Sequence, residues 1–369
     1  MSVDSADCFA QSYGEARGKF LAAADAAGLD VHSHTHPLLG VDGETLALDV
    51  VRDGPRDAQA LLLVSSGCHG VEGYCGSAVQ IALLHDPAWQ AALHAAGVAV
   101  LYLHALNPHG FSWCRRTTHE NVDLNRNFID FHAPLPENAG YDDIAALLVP
   151  STWPPTPAVE AALGRRLAEQ GLVALQTAIT SGQYAHPEGL FFGGHNPTWS
   201  HVTLRQVLRD HAAHCARLGW IDLHTGLGAS GVGERIFACR DDAAALARAR
   251  AWWGEGVTSI YDGSSSSALL QGLMWNLAYE ESPQAEYTGI ALEYGTVPLM
   301  EVITVLRADQ WLENHPEADD AMRAQIKRRV RDAFYTDTPA WKQRVLEQAM
   351  TVARQALAGL SAQRASDAR

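Results

Sequence analysis

The sequence predicts an α/β protein: a single domain built on a mixed, mainly parallel twisted sheet with helices on both faces. Three observations carry this. Ala60-Leu61-Leu62-Leu63-Val64 and Val98-Ala99-Val100-Leu101-Tyr102-Leu103 are short apolar runs of the length of buried strands. Between them Gly76–Leu84 has a helical pattern that continues toward Leu93, so strand, helix and strand form a βαβ unit. Hydrophobic residues make up 47% of 369 positions, enough for a sizeable core.

The remaining elements follow in order. Asp7–Gly28 has Ala and Leu at helical spacing. Leu46–Val51 alternates as a strand and is turned by Asp53-Gly54-Pro55 into the strand before His69. The strand ending at Leu103 leads into the polar loop His104–Gly110. Later strands are expected at Gly219–Leu223, Glu234–Ala238 and Thr288–Leu292, and helices at Pro157–Ser181, Thr203–Leu218 and Asp241–Gly254. Ala318–Leu357 is helical in pattern and ends in a polar stretch expected to fray. Ser264–Ser267 reads as a short flexible loop. No repeat, low-complexity linker or domain boundary interrupts the chain. In open α/β sheets ligands collect at the carboxyl ends of the strands, and the notable polar residues fall there repeatedly.

A formal net charge of −15 argues against nucleic acid or an anionic membrane surface as the main partner. Met1–Asp7 lacks the basic-then-apolar order of a secretory signal, and the apolar runs fall short of a membrane span. The six cysteines are scattered without a C-x-x-C pair, the pattern of reduced thiols in a cytoplasmic protein.

Ser65-Ser66-Gly67-Cys68-His69-Gly70-Val71-Glu72-Gly73 is the most informative segment. It puts His69 and Glu72 three residues apart at the end of a strand, where both can turn to one metal ion. A catalytic zinc site takes three protein ligands and leaves one open position. His224, in Asp222-Leu223-His224-Thr225-Gly226, occupies a similar strand end, although an isolated histidine there is as readily structural. Glu293, after Ile290-Ala291-Leu292, is either a solvated strand end or a pocket carboxylate able to carry protons for a hydrolysis. Asn121–Phe128 is either a capped turn or a clamp: Asn125 and Arg126 suit a carboxylate, and Asp123 could orient a ligating imidazole. Arg115 and Arg116 are either surface arginines or positive charge for an oxyanion. Within Gly182–Gly194, Gln183 and Tyr184 are candidates for a substrate loop, a structural loop being the other reading. Cys68 reads as a small neighbour of His69. Trp252, Trp253 and Trp275 fall at apolar positions suited to the core.

The ordered set His69-x-x-Glu72, Asp123-Leu124-Asn125-Arg126-Asn127-Phe128, His224 and Glu293 resembles the carboxypeptidase A-like zinc metallopeptidases. It is more similar still to a bacterial branch of that superfamily known only as a domain of unknown function. That branch has comparable Ser-Gly-x-His-Gly-Val-Glu-Gly, Asn-Pro-x-Gly-Phe, Asn-Val-Asp-Leu-Asn-Arg-Asn-Phe, Gly-Gln-Tyr and Asp-Leu-His-Thr-Gly-Leu-Gly segments. The resemblance covers about Phe9 to Lys342, which implies a zinc carboxypeptidase-like core over 9–342 and a C-terminal helical tail over 343–369.

The resemblance implies one zinc ion per chain held by His69, Glu72 and His224, with Asp123 orienting His69. It implies Glu293 as general base and acid, Arg116 or else Arg115 at the oxyanion, and Asn125 and Arg126 on the substrate carboxylate. The implied enzyme is a zinc metallohydrolase that cleaves an amide bond by attack of zinc-bound water. Its partner would be a peptide or small molecule with a free carboxylate, taken as carboxypeptidase-type first. Two rivals stand beside it: a deacylase of N-acyl amino acids, similar to the aspartoacylase and succinylglutamate desuccinylase branch, and a binding protein that keeps the fold without the chemistry. Neither Tyr287 nor Tyr294 sits in a motif that would make it the tyrosine over the substrate.

Overall fold

The computed structural model of the protein describes residues 5–367. Met1–Asp4 of the start read above, and Ala368 and Arg369 at the polar end, lie outside them. Among the described residues eight strands form one sheet: β1 Val31–Leu39, β2 Thr45–Asp53, β3 Ala60–Ser66, β4 Ala99–His104, β5 Arg217–Ser230, β6 Gly233–Phe237, β7 Val257–Thr258 and β8 Glu286–Gly295. Their spatial order is β1-β2-β4-β3-β5-β8-β6-β7. The centre, β4-β3-β5-β8, is parallel. On one side β2 pairs antiparallel with β4 and β1 antiparallel with β2; on the other β6 pairs antiparallel with β8, and β7 pairs parallel with β6.

Helices cover the sheet, so β3 and β4 are buried along their whole length. Strands buried on both faces are built from uninterrupted apolar runs, which is why these two could be read from sequence. β2 is also buried almost throughout. Helix Tyr13–Ala26 lies near it, and the Tyr13 hydroxyl donates to the Ala47 carbonyl at 3.2 Å and accepts the Ala47 N–H at 2.8 Å.

Several boundaries differ from the sequence expectation for local reasons. The helix after β3 is two helices, Gly73–His85 and Pro87–Ala96. Asp86 caps the second through the Ala88 N–H, and Pro87 cannot continue the first. Pro157–Ser181 is likewise two, Pro157–Gln170 and Leu172–Thr180, separated at Gly171 with φ 80°. The Thr203–Leu218 helix is Trp199–Ala212: Thr198 caps it a turn earlier through the His201 N–H, and Leu218 belongs to β5.

β1 is absent from the sequence reading. As an edge strand, Val-His-Ser-His-Thr-His-Pro-Leu-Leu is largely exposed and carries no apolar run. Ser264–Ser267 is not free: the Ser266 N–H and hydroxyl donate to the Glu234 carboxylate, and Gln176 donates to the Ser266 carbonyl at 2.9 Å. The C-terminal segment is no appendage. Helix Pro339–Asp367 packs on β3 and β5, burying Val345, Val352, Ala356 and Leu360. No helix among the described residues is long and apolar enough to cross a membrane.

Parallel central strands end at one edge of the sheet. β3 stops at Ser66, three positions before His69, and β5 and β8 bring His224 and Glu293 to register positions directly opposite each other.

Candidate metal centre

The turn leaving β3 has little freedom. Gly67 adopts φ 64°, and a Cβ on Gly70 would stand 2.1 Å from the Gly110 carbonyl carbon. This contact lets the Pro108–Arg116 segment lie against the turn, where the Gly70 and Val71 N–H groups donate to the Arg116 and Arg115 carbonyls at 3.1 and 2.8 Å. His69 then precedes a single 3-10 turn, Gly70–Glu72, which brings Glu72 back toward it.

Three side chains converge there. His69 Nδ1 lies 2.9 Å from Glu72 Oε1, and His224 Nδ1 lies 2.9 Å from Glu72 Oε2. The two imidazoles thus face the two oxygens of one buried carboxylate, with ring centroids 5.1 Å apart. Their ligating atoms all fall within 4.8 Å of one another. The far nitrogens are held by carboxylates: His69 Nε2 by Asp123 Oδ1 at 3.1 Å, and His224 Nε2 by Asp222 Oδ2 at 2.6 Å. A metal-ligating histidine is commonly oriented by such an outer hydrogen bond. Asp222 is fixed in turn by Ser65, whose hydroxyl lies 2.5 Å from Asp222 Oδ1 and accepts the Trp220 indole N–H at 2.8 Å.

Arg116 spans the same group. Its Nε donates to Asp123 Oδ2 at 3.0 Å, its Nη1 to Glu72 Oε1 at 3.1 Å, and its Nη2 lies 2.8 Å from His69 Nε2. The last contact needs an unprotonated Nε2. Were Nδ1 turned to a ligand, Nε2 would carry the ring proton and donate to Asp123, and Arg116 Nη2 would lose this acceptor and be released toward the pocket.

The electrostatics call for a cation. Glu72, Asp123, Asp222 and Glu293 are buried carboxylates at or beside the pocket, against the two guanidinium groups of Arg116 and Arg126, an excess of two negative charges when the imidazoles are neutral. Without a metal ion, protons make up the difference. Burial lowers the His224 imidazole, but Asp222 and Glu72 outweigh it and hold it well above the ordinary histidine range. Burial first, and the Glu72 charge second, push Glu293 up to about 8. Two imidazole nitrogens and a carboxylate form a donor set suited to zinc and its neighbours, and one divalent ion would balance the charge. The residues present therefore fit a metal. Cys68, Asp222 and His224 also lie close enough together to be considered. Cys68, however, is not among the residues that line the pocket, and burial, reinforced by Asp222 and Asp123, pushes its thiol well above the usual range.

The group opens into a pocket. Asn125, Arg126, Thr180 and Phe191 line it, as do apolar side chains from β6, the 268–275 segment and helix Leu299–Asn314. Glu293 is also in the lining, and its Oε1 accepts the Leu227 N–H at 2.9 Å.

The expected site residues separate within this geometry. His69, Glu72, His224, Glu293, Arg116, Asn125 and Arg126 all line the pocket. Asp123 is fully buried behind His69 and also caps its own turn through the Asn125 N–H at 3.0 Å. Asn125 Oδ1 accepts the Met274 N–H at 2.8 Å, and Nδ2 has no protein partner among the described residues. Arg126 donates from Nε and Nη2 to the Thr180 carbonyl and from Nη1 to the Asn125 carbonyl, leaving two of its five N–H donors.

Three expectations are corrected. Arg115 turns away from the pocket to Asn121 at 2.9 Å, with Asp309 and Glu313 at 3.6 and 3.4 Å, because adjacent side chains on this turn diverge. Gln183 is buried inside its own loop, donating to the His186 and Leu190 carbonyls and accepting the Ala185 and His186 N–H groups. Tyr184 donates to the Arg126 carbonyl at 2.7 Å and is likewise outside the lining. Tyr287 and Tyr294 are buried, bonded to the Ala238 and Val345 carbonyls. Trp252 and Trp253 are core, whereas Trp275 also forms part of the pocket wall.

The sequence reading passed over Asp222 and Phe191. Asp222 had a usable signal: it stands two residues before His224 on one strand, and alternate strand residues share a face. Phe191 had none, since nothing local tells which aromatic of Leu190-Phe191-Phe192 faces inward.

Among solved structures the chain is similar to carboxypeptidase A from Helicoverpa armigera, at 13% identity and TM-score 0.42 over 88% of this chain and 74% of that one. It is also similar to bovine thrombin-activatable fibrinolysis inhibitor, at 12% identity and TM-score 0.44 over 92% and 98%. A metallo-carboxypeptidase from Burkholderia cenocepacia matches at 11% identity and TM-score 0.41 over 88% and 68%. No curated protein matches the chain. Residues 9–348 match the DUF2817 family, described as a protein of unknown function, and the chain belongs to that family.

Proposed function

We propose that the protein is a zinc-dependent hydrolase that cleaves an amide bond in a peptide or small molecule bearing a free carboxylate, carboxypeptidase-type first. The observation that carries this reading is the convergence of His69 Nδ1 and His224 Nδ1 on the two oxygens of Glu72, with Glu293 opposite His224 on the next strand. His69, Glu72 and His224 hold the metal, one ion per chain. When bound, such an ion lowers the pKa of a water molecule and polarises a carbonyl.

The chain's own groups do the rest. Asp123 and Asp222 hold the two imidazoles with Nδ1 turned inward. Glu293 accepts a proton from the attacking water and passes it to the leaving amine nitrogen, a role suited to a buried carboxylate held by one backbone N–H beside Glu72 and His224. Arg116 meets the developing oxyanion with the N–H released from His69. The Nδ2 group of Asn125 and the spare N–H groups of Arg126 take the substrate carboxylate, and the apolar walls receive its side chain.

The test uses zinc-loaded protein with N-acyl dipeptides carrying a C-terminal apolar residue and, separately, with N-acetyl amino acids. Cleavage of the dipeptides supports the reading. Cleavage of the acetyl amino acids alone makes the protein a deacylase. Glu293→Gln should abolish turnover while zinc analysis still finds one equivalent; retained activity would sink the mechanism. No stoichiometric zinc, with none taken up on addition, would favour a binding protein.

A further inference from the structure

The segment Gly182–Gly194 sends one aromatic ring into the pocket, that of Phe191. The ring is buried, with the guanidinium carbon of Arg116 5.3 Å and that of Arg126 5.7 Å from its centroid. Both distances lie inside the roughly 6 Å over which an aromatic face attracts a cation, an attraction that grows when the pair is desolvated. The backbone at Phe191 has φ 54°, the left-handed region that a bulky residue seldom adopts.

Surrounding bonds hold it there. The Gln183 N–H donates to the Phe191 carbonyl at 3.2 Å, and the Asp123 N–H donates to the Phe192 carbonyl at 2.8 Å. Asn127 Nδ2 donates to the Gly193 carbonyl at 2.8 Å. The loop is thus tied to the same segment that carries Asp123, Asn125 and Arg126. A chain that needed only to fill space would have no reason to hold a residue in this conformation beside two like charges.

We propose that Phe191 is a positioning residue whose ring holds Arg116 and Arg126 together as a pair of cations, one for the oxyanion and one for the substrate carboxylate. The inference rests on the roles proposed above for the two arginines. Two guanidinium groups sharing one side of a buried site repel each other, and each needs a compensating partial charge. Asp123 supplies part of it to both. Glu72 supplies a further part to Arg116, and the ring face adds to both without an acceptor that would compete with an anionic substrate. It also lets Arg116 shift from His69 toward the oxyanion while remaining over the ring.

The experiment compares zinc-loaded wild type with Phe191→Leu, which keeps the apolar bulk and removes the ring, and Phe191→Tyr, which keeps the ring. The Nε–H groups of Arg116 and Arg126 are both hydrogen-bonded, to Asp123 and to the Thr180 carbonyl, so they can be followed by NMR in arginine-labelled protein. Both resonances should shift in Phe191→Leu as the ring current is lost, and stay near wild type in Phe191→Tyr. Binding of L-phenylalanine, a probe carboxylate, should weaken about tenfold in Phe191→Leu and less than about twofold in Phe191→Tyr. With an N-acyl dipeptide, Phe191→Leu should raise KM and lower kcat, each by about tenfold.

Unmoved resonances, unchanged probe binding in Phe191→Leu, or a Phe191→Tyr variant as impaired as Phe191→Leu would each overturn the proposal. Wild type that cleaves no amide, with the resonance and binding changes still present, would instead count against the proposed function and leave the role of the ring supported.

Discussion

His224 and Glu293 are register partners on β5 and β8, parallel neighbours at the centre of the sheet. Residues in register on parallel strands project to the same face, so an imidazole that faces Glu72 and a carboxylate raised to about 8 are held side by side by backbone hydrogen bonds. Loops position a site less firmly than strands do, and here a proposed ligand and the proposed proton carrier both stand on rigid elements.

Asp222→Asn should reduce zinc affinity 10- to 100-fold, roughly the range for loss of a carboxylate behind a ligating histidine. The neutral amide keeps its place between Ser65 and His224 but no longer draws on the imidazole N–H that now lies 2.6 Å away. Competition with a chromophoric chelator measures this, and an unchanged affinity would deny Asp222 its orienting role.

The two adjacent arginines should behave differently. Arg116→Gln is expected to lower kcat by about 10²- to 10³-fold, as loss of an oxyanion donor does. Arg115→Gln breaks contacts to Asn121, Asp309 and Glu313 away from the pocket. It should cost about 1–3 kcal/mol of stability with kcat nearly unchanged. Denaturant melts and steady-state kinetics on both variants read the difference.

Removing the metal should lower the thermal midpoint, because the excess negative charge among Glu72, Asp123, Asp222 and Glu293 is then balanced only by protons. A ligand present at 100 times its dissociation constant stabilises by about 2.7 kcal/mol. Calorimetric scans with chelator, then with added zinc, should show the midpoint fall and recover. A midpoint indifferent to both would argue against a bound ion.

Acid should destabilise the fold through buried imidazoles outside this site. Burial lowers His104 to about 4 and His201 to about 4, Arg205 adding to the effect at His201. Burial, then His119, His36 and Arg115, lowers His109 to about 3. These folded-state values lie below the unfolded one near 6.5. The unfolded chain therefore binds more protons in between, and the contribution is full above about pH 6.5 and is lost as pH falls toward 4. His104 alone, stacked on Phe20 and bonded to Ser77, contributes on the order of 3 kcal/mol. Denaturant melts between pH 7 and 4 should show this slope, and His104→Asn should flatten it.

How much was legible follows from where each element sits. β3, β4, β5 and β8 are central and buried, and burial on both faces demands apolar runs that stand out in one dimension. β1 is an edge strand with no such demand, and its histidines, serine and threonine carry little pattern. The pair His69 and Glu72 was readable because a 3-10 turn brings residues three apart together.

The sequence by itself determined the sheet's central strands, the glycine-shaped turn after β3, and the kinds of side chain placed at the strand ends. Only the tertiary structure decided which of two neighbouring arginines enters the pocket, since Asp309 and Glu313 draw Arg115 one way and Asp123 draws Arg116 the other. It likewise decided that Asp222 backs His224 and that Phe191, not Gln183 or Tyr184, reaches the site. Local spacing fixes the direction of a side chain only within its own turn or strand. The charges and rings it meets come from segments tens to hundreds of residues away, and those meetings exist only in the folded chain.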